Sequence, residues 1–195
     1  MNTNTAEYPV RVELDHPLEV ARWRPFFNWI LAIPHMIVLY VLNLVLSIVV
    51  FVSFFVILFT GRLPRGLIDF QVMYWRYTWR TYSFAMGLRG GYPPFDFQTN
   101  GSEPDVALLD VEYPERLSRL LIFVKWFLAI PHYIVLMLLM VAAFFAWMVG
   151  ALAVLFTGRW PDSIHHLLVG LVRWTTRVYC YVYLLTDEYP PFSLD

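Results

Sequence analysis

Formal charge is missing from two long stretches of this sequence of 195 residues. No Asp, Glu, Lys or Arg occurs in residues 25–61, and none occurs in residues 126–158. A bilayer core about 30 Å thick needs about 20 apolar residues in helical form. Each stretch is longer than that, which argues against an ordinary soluble domain. We therefore predict a mainly α-helical integral membrane protein with several crossings.

Other features are also scarce, and each scarcity excludes a kind of site. Cys180 is the only cysteine, which excludes an intramolecular disulfide and a multi-cysteine metal site. A net charge of −1 leaves no polybasic tail, so we expect no nucleic-acid partner. No glycine-rich phosphate loop, nucleophile elbow or metalloprotease helix occurs. The sequence thus predicts no catalytic residue, no metal and no cofactor.

What the sequence does contain is a tandem repeat with an offset of 97 residues. Residues 17–95 align with residues 114–192 without a gap, and 30 of the 79 positions are identical. We assign residues 1–97 to the first repeat, 98–104 to a linker and 105–195 to the second repeat. A repeat of this strength predicts two copies of one structural unit.

Each copy predicts a short strand, a proline-kinked transmembrane helix and a second helix that is amphipathic or transmembrane. Pro34 and Pro131 predict the kinks, so the spans are expected at residues 36–59 and 133–156. The period-two alternation near the start of each copy predicts two half-buried strands that pair with each other. Its inward positions are Val10, Val12 and Leu14 in the first copy and Ala107, Leu109 and Val111 in the second; its outward positions are Arg11, Glu13, Asp15, Leu108, Asp110 and Glu112.

The second helices, at residues 65–88 and 162–185, carry a narrow polar stripe. Arg76 and Arg80 lie on this stripe in the first copy, and Arg173 and Arg177 lie on it in the second. A helix on a membrane surface usually has a broad charged face, so the narrow stripe favours packing against protein. One crossing per copy would make the copies inverted and two would make them parallel. The sequence favours four crossings in all.

The repeated motifs also resemble a known family. They are "AIPH", "LFTGR" followed by Pro two residues later, the paired arginines and "YPPF", each present once per copy. This pattern resembles a bacterial membrane-protein family, domain of unknown function 4389, over nearly the whole chain. The resemblance implies a location in the bacterial cell membrane, and it implies no activity.

His35 and His132 follow the kink prolines inside the predicted membrane segments. Ionisable residues within a membrane are costly and often functional, which favours a ligand or a proton acceptor. Alternatively, each ring bonds a carbonyl freed by the nearby proline or sits among headgroups. Two histidines with no carboxylate nearby are too few for a metal site.

The arginines are the stronger candidates for binding. Arg76, Arg80, Arg173 and Arg177 face few acidic partners, and a guanidinium suits carboxylate or phosphate. They either pair within the fold and stack on neighbouring aromatic rings or bind lipid phosphate or a partner protein. Arg62 and Arg159 stand where a span ends and are expected to reach lipid headgroups.

We therefore expect a non-enzymatic membrane scaffold or accessory subunit that binds lipid headgroups or a partner membrane protein, in a membrane protein complex or as a homo-oligomer. Two alternatives stay open. The first is a lipid or small-solute transport element, because internal repeats and broken helices are common in transporters. The second is a membrane enzyme that uses His and Arg on a lipid phosphate.

Overall fold

The computed structural model describes residues 8–14, 18–98 and 107–194. The first copy contains strand β1 (Val10–Leu14) and helices α1 (Arg24–Leu31), α2 (Ile33–Thr60) and α3 (Arg65–Ala85). The second contains β2 (Ala107–Val111), α4 (Leu121–Leu128), α5 (Ile130–Thr157) and α6 (Asp162–Val182). The chain is mainly helical, and both copies have the same order of elements. Of the predicted linker, only residue 98 lies within the described residues.

The long helices begin before the prolines and not after them as predicted. α1 ends at Leu31 and α2 begins at Ile33, and only Ala32 separates them. Pro34 therefore stands in the first turn of α2, where the backbone N–H that proline lacks is not needed. The same break falls at Ala129 in the second copy. The predicted proline kink itself stays a prediction.

Left-handed residues end the helices of both copies. Gly61 and Gly158 cap α2 and α5 with φ of 69° and 75°, a conformation that glycine adopts without steric cost. Gly87 and Leu184 have φ of 72° and 69° and follow α3 and α6 within two residues. The second helices therefore end at Ala85 and Val182, three residues before the predicted bounds.

The two predicted strands pair with each other. β1 and β2 are antiparallel, with Val12 opposite Leu109 at the centre. The side chains of Val10, Val12, Leu109 and Val111 are buried, whereas Arg11, Asp110 and Glu112 are exposed. The predicted alternation is confirmed at these positions. Asp15 and the side chains of Glu13, Leu14, Ala107 and Leu108 lie outside the described residues.

The two copies are inverted relative to each other. α3 returns along α2, since Asn28 near the start of this helix pair donates to the carbonyl of Phe84 at the end of α3. At that same end of the molecule, Trp160, three residues after the end of α5, donates from Nε1 to the carbonyl of Gly87. The start of α2 therefore lies beside the end of α5. This is the arrangement expected for one crossing per copy, not for the parallel copies that the sequence analysis favoured.

Most of the exposed apolar surface lies on the long helices. α2 exposes large apolar side chains from Ile33 to Phe59, and α5 does so from Ile130 to Phe156. α2, and α4 together with α5, are long and apolar enough to span a membrane. α3 and α6 are mostly buried, and they contact each other where Trp75 stacks on Tyr179, 4.9 Å between ring centroids.

Candidate functional site

The first-copy histidine is buried at the start of α2 and held by two elements. Its Nδ1 lies 2.7 Å from the hydroxyl of Tyr77 in α3. The ring of Phe95 stacks on His35, with centroids 4.1 Å apart, and Tyr92 packs on it at 4.9 Å. The "YPPF" segment thus folds back over the "AIPH" segment, which explains why both motifs are repeated.

The second-copy histidine has the same neighbours with one change. Phe192 stacks on His132 at 3.9 Å, and Trp174 donates from its indole Nε1 to Nδ1 at 3.0 Å. Because an indole N–H can only donate, Nδ1 must be an acceptor. The ring is therefore the neutral tautomer that carries its proton on Nε2. A ring held in this way is suited to packing and does not present both nitrogens to a ligand.

Two of the predicted arginines connect each copy to the strand of the other. Arg76 donates from Nε and Nη2 to the carbonyl of Leu109 in β2, at 2.9 and 2.7 Å. Arg173 donates from Nε to the carbonyl of Val12 in β1 at 3.0 Å. Each guanidinium thus anchors the middle of a strand to the middle of a helix.

The other two arginines of the stripe also contact protein groups. Arg80 donates to the carbonyl of Asp96 at 3.1 Å and lies 3.7 Å from its carboxylate. Arg177 lies over the ring of Tyr8, 5.8 Å from its centroid, and burial raises the pKa of the Tyr8 phenol. The arginines that the sequence singled out for lipid or partner binding therefore contact the fold itself, and their external role stays a prediction.

Arg62 and Arg159 are both exposed but lie at opposite ends of the long helices. The end that contains Arg62 also carries Arg65, Arg116 and Arg119, and all four side chains are exposed. We call these four residues the arginine end. Arg62, Arg116 and Arg119 line a shallow polar depression there. The sequence analysis missed this cluster because Arg116 and Arg119 belong to the other copy.

The opposite end is nearly balanced in charge. Arg159 lies 3.5 Å from Asp162 in a solvent-exposed ion pair, and Glu19 pairs with Arg159 through a backbone bridge. We call Glu19, Arg22, Arg159 and Asp162 the mixed end. Glu19 and Asp162 stand at the positions that Arg116 and Arg65 occupy in the other copy. Two substitutions between the copies therefore contribute to the difference in charge between the ends.

A buried ion pair is a further feature that sequence reasoning missed. Lys125 in α4 is 1% exposed, and its Nζ lies 2.7 Å from the carboxylate of Asp187 and 2.6 Å from the carbonyl of Thr186. Asp187 also accepts from the backbone N–H of Ser118 at 2.5 Å. The available signal was the position of Lys125, a lone charge adjoining an uncharged stretch. A charge there requires a partner, and Asp187 is that partner.

Asp69, which lies seven residues before Arg76 in α3, also has a partner within the fold. Asp69 accepts a short hydrogen bond from the hydroxyl of Tyr113. This bond and burial raise the pKa of the Tyr113 phenol. Within the described part of the chain, no three His, Cys, Asp or Glu side chains come close enough to hold a metal ion.

The fold and these repeated contacts define a class of protein. It is a duplicated helical unit in which an arginine of each copy binds the strand of the other, inverted copy. The family model described as Domain of unknown function (DUF4389) matches residues 22–96 and again 119–193, more than half of the chain. The chain therefore belongs to this family and contains two tandem copies, as the resemblance predicts. Comparisons with curated proteins and with solved structures gave no match. A bacterial origin stays a prediction.

Proposed function

We propose that this chain is a non-enzymatic membrane scaffold or accessory subunit, embedded in lipid through α2 and α5. The observation that carries the proposal is the apolar exposed surface of these two helices, which are 28 residues long each. Soluble monomers rarely expose contiguous apolar patches larger than a few hundred Å². Lipid hydrocarbon is the medium in which such a surface is stable.

The contacts of the repeated histidines and arginines support a scaffold more than an enzyme. His35 and His132 are fully buried beneath the "YPPF" segments, and Arg76 and Arg173 bind strand carbonyls. These contacts stabilise the fold in both copies. The transport and lipid-phosphate enzyme alternatives stay untested.

The path of the chain bears on how the protein sits in the membrane. The chain leaves α3 at one end and reaches Leu117 at the other end, where the Leu117 N–H donates to the carbonyl of Gly61. Between these points runs β2, with exposed Asp110 and Glu112. An upright bundle would place this charged segment at the bilayer centre, where lipid-exposed irregular backbone does not occur. Within the proposal, α2 and α5 therefore lie along one leaflet and the sheet faces water.

This orientation assigns a different neighbour to each face. α2 and α5 contact hydrocarbon, and the exposed arginines at both ends reach headgroup phosphates by snorkelling. The outer face of the sheet, with Arg11, Asp110 and Glu112, is then the surface available to a partner protein. Multiple crossings, predicted from the sequence, would instead place the two ends of the long helices on opposite sides of the membrane.

Cysteine labelling in sealed vesicles tests the orientation. Cys180 is buried, and the Cys180→Ser chain gives a background without a native thiol. Arg62→Cys and Arg159→Cys should both react with an impermeant maleimide from the same side. Reaction from opposite sides would show that the long helices cross, and it would overturn the in-plane arrangement.

The partner is tested by native mass spectrometry of the protein extracted gently from its own membrane. We expect a defined protein partner that is lost in Asp110→Lys/Glu112→Lys. Arg22→Ala, an exposed arginine at the mixed end, serves as the control. A bare monomer in the unaltered protein would contradict the accessory-subunit role and leave a lipid-binding scaffold.

A further inference from the structure

The molecule contains a large apolar groove on the side of α3 and α6 that faces away from the sheet. Its volume is about 630 Å³, within the usual range of ligand pockets, about 300–1,000 Å³. α1, α3, α5 and α6 all contribute to its wall, and among the described lining residues none is charged. A second cavity, which shares Met140, Phe144, Thr175 and Tyr179 with the first, continues along α5.

The joined groove has the length of an acyl chain. Its wall runs along α5 from Tyr133 to Trp147, and at 1.5 Å per residue these 14 steps cover about 21 Å. A bilayer core of about 30 Å holds two leaflets, so the chains of one leaflet occupy about 15 Å. The groove is therefore long enough to hold the whole length of one acyl chain.

Two tryptophans of the wall contribute ring carbons to the groove, whereas their indole nitrogens are closed off from it. The indole N–H groups of Trp75 and Trp79 are buried, and in the described part of the chain neither has a hydrogen-bond acceptor. The two residues are 6% and 8% exposed. An unsatisfied buried donor costs about 1–3 kcal/mol. By contrast, Trp147 in the same wall donates to the carbonyl of Met86.

We propose that this groove binds one membrane glycerolipid. Its acyl chain lies along α5 against the rings of Trp75 and Trp79. Uncharged walls exclude a carboxylate or phosphate from the groove, so the headgroup lies outside it. The inference rests on the membrane location proposed above, because the groove opens beside the apolar outer surface of α5.

The first copy provides a matched way to close the groove. Ala143 in the wall corresponds to Leu46 of α2, and Leu171 corresponds to Tyr74. Leu46 and Tyr74 are both buried, so the equivalent space beside α2 contains more side-chain volume. Ala143→Leu thus introduces the side chain that the other copy already accommodates.

The experiment is native mass spectrometry after exchange into a lipid-free detergent, with a palmitoyl-oleoyl phospholipid added back at increasing concentration. The unaltered protein should retain one lipid. Ala143→Leu should lower its affinity at least tenfold. Val149→Leu adds one methylene at an exposed site of α5 outside the groove and should leave the affinity unchanged.

A second variant reduces the apolar area of the wall. Trp75→Phe/Trp79→Phe should weaken binding about threefold to tenfold, because smaller rings bury less apolar surface of the acyl chain. Equal lipid retention in the unaltered protein, Ala143→Leu and the double Phe variant would overturn the groove while leaving the membrane location intact. Recovery of the protein from the soluble fraction without lipid would instead overturn the location itself.

Discussion

In the first copy, the histidine at the start of the long helix bonds a tyrosine hydroxyl, and in the second it accepts from a tryptophan. Each histidine stacks on the phenylalanine of the "YPPF" motif in its own copy. Elsewhere the copies differ more: Asn28 corresponds to Lys125, and Gly90 corresponds to Asp187. The stations that persist contact one another within the fold. Lys125 and Asp187, which replace Asn28 and Gly90 in the second copy, contact each other.

The largest expected loss of stability concerns the ion pair between Lys125 and Asp187. The first copy has Asn28 and Gly90 at these two positions. Asp187→Asn leaves Lys125 charged and 1% exposed with one carbonyl partner. Removal of one member of a fully buried pair costs about 3–5 kcal/mol. Because the side chain of Asp187 is 26% exposed, we expect a loss of free energy of unfolding near the lower end of that range. Denaturant titration in a mild detergent, followed by circular dichroism, measures it.

The control for this variant is taken from the first copy. Lys125→Asn/Asp187→Gly installs the residues found at the equivalent positions, Asn28 and Gly90. No uncompensated charge remains, so the double variant should lose less stability than Asp187→Asn. A larger loss would show that the pair itself stabilises the second copy.

A second pair of positions has exchanged volume between the copies. A Cβ atom at Gly150 would lie 2.5 Å from the ring of Trp160, and the equivalent residues in the first copy are Ser53 and Leu63. Gly150→Ser should therefore cost about 1–3 kcal/mol through overpacking. Thermal unfolding in detergent measures the change.

Combination with Trp160→Leu shows whether these two sites are coupled. Trp160→Leu is itself destabilising, since it removes a fully buried ring and the bond from its Nε1 to the carbonyl of Gly87 at 3.0 Å. The loss in the double variant should be smaller than the sum of the single losses, because contacting residues are not additive. Simple additivity would contradict the exchange of volume.

Loss of the hydrogen bond to a buried histidine should have a smaller and more selective effect on stability. Trp174→Phe removes the donor to Nδ1 of His132 and leaves a buried acceptor, at a cost of about 1–3 kcal/mol. Trp174→Tyr installs the residue of the first copy, Tyr77, whose hydroxyl lies 2.7 Å from Nδ1 of His35. The Tyr variant should therefore be the more stable of the two by denaturant titration. Equal losses would mean that packing against His132, and not the hydrogen bond to it, determines the effect on stability.

Much of this fold follows from local patterns in the sequence. The alternation of Val10, Arg11 and Val12 predicts the strand, and the uncharged stretches predict the long helices. Both signals are local and depend on side-chain period. The tandem repeat is likewise visible without structure. What the repeat does not contain is direction, because inverted and parallel copies have the same sequence.

The side-chain contacts between distant parts of the chain were harder to predict. Lys125 and Asp187 are 62 residues apart in the sequence, and Arg173 and the Val12 carbonyl that it binds are 161 apart. Even so, "AIPH" and "YPPF" persist together in both copies, and this joint persistence was a usable signal that they touch. The groove depends on Ala143 and Trp75 in different copies and had no local signature.

The smallest expected effect concerns the two ends of the molecule. Arg116 at the arginine end corresponds to Glu19 at the mixed end. A basic residue near an anionic membrane surface contributes about 1 kcal/mol, so Arg116→Ala should weaken binding of a fluorescent phosphatidylglycerol in neutral micelles about fivefold. Glu19→Ala should strengthen it by a similar factor, and added salt should reduce both effects. Identical affinities in the two variants would mean that the ends do not differ in lipid contact, despite their difference in charge.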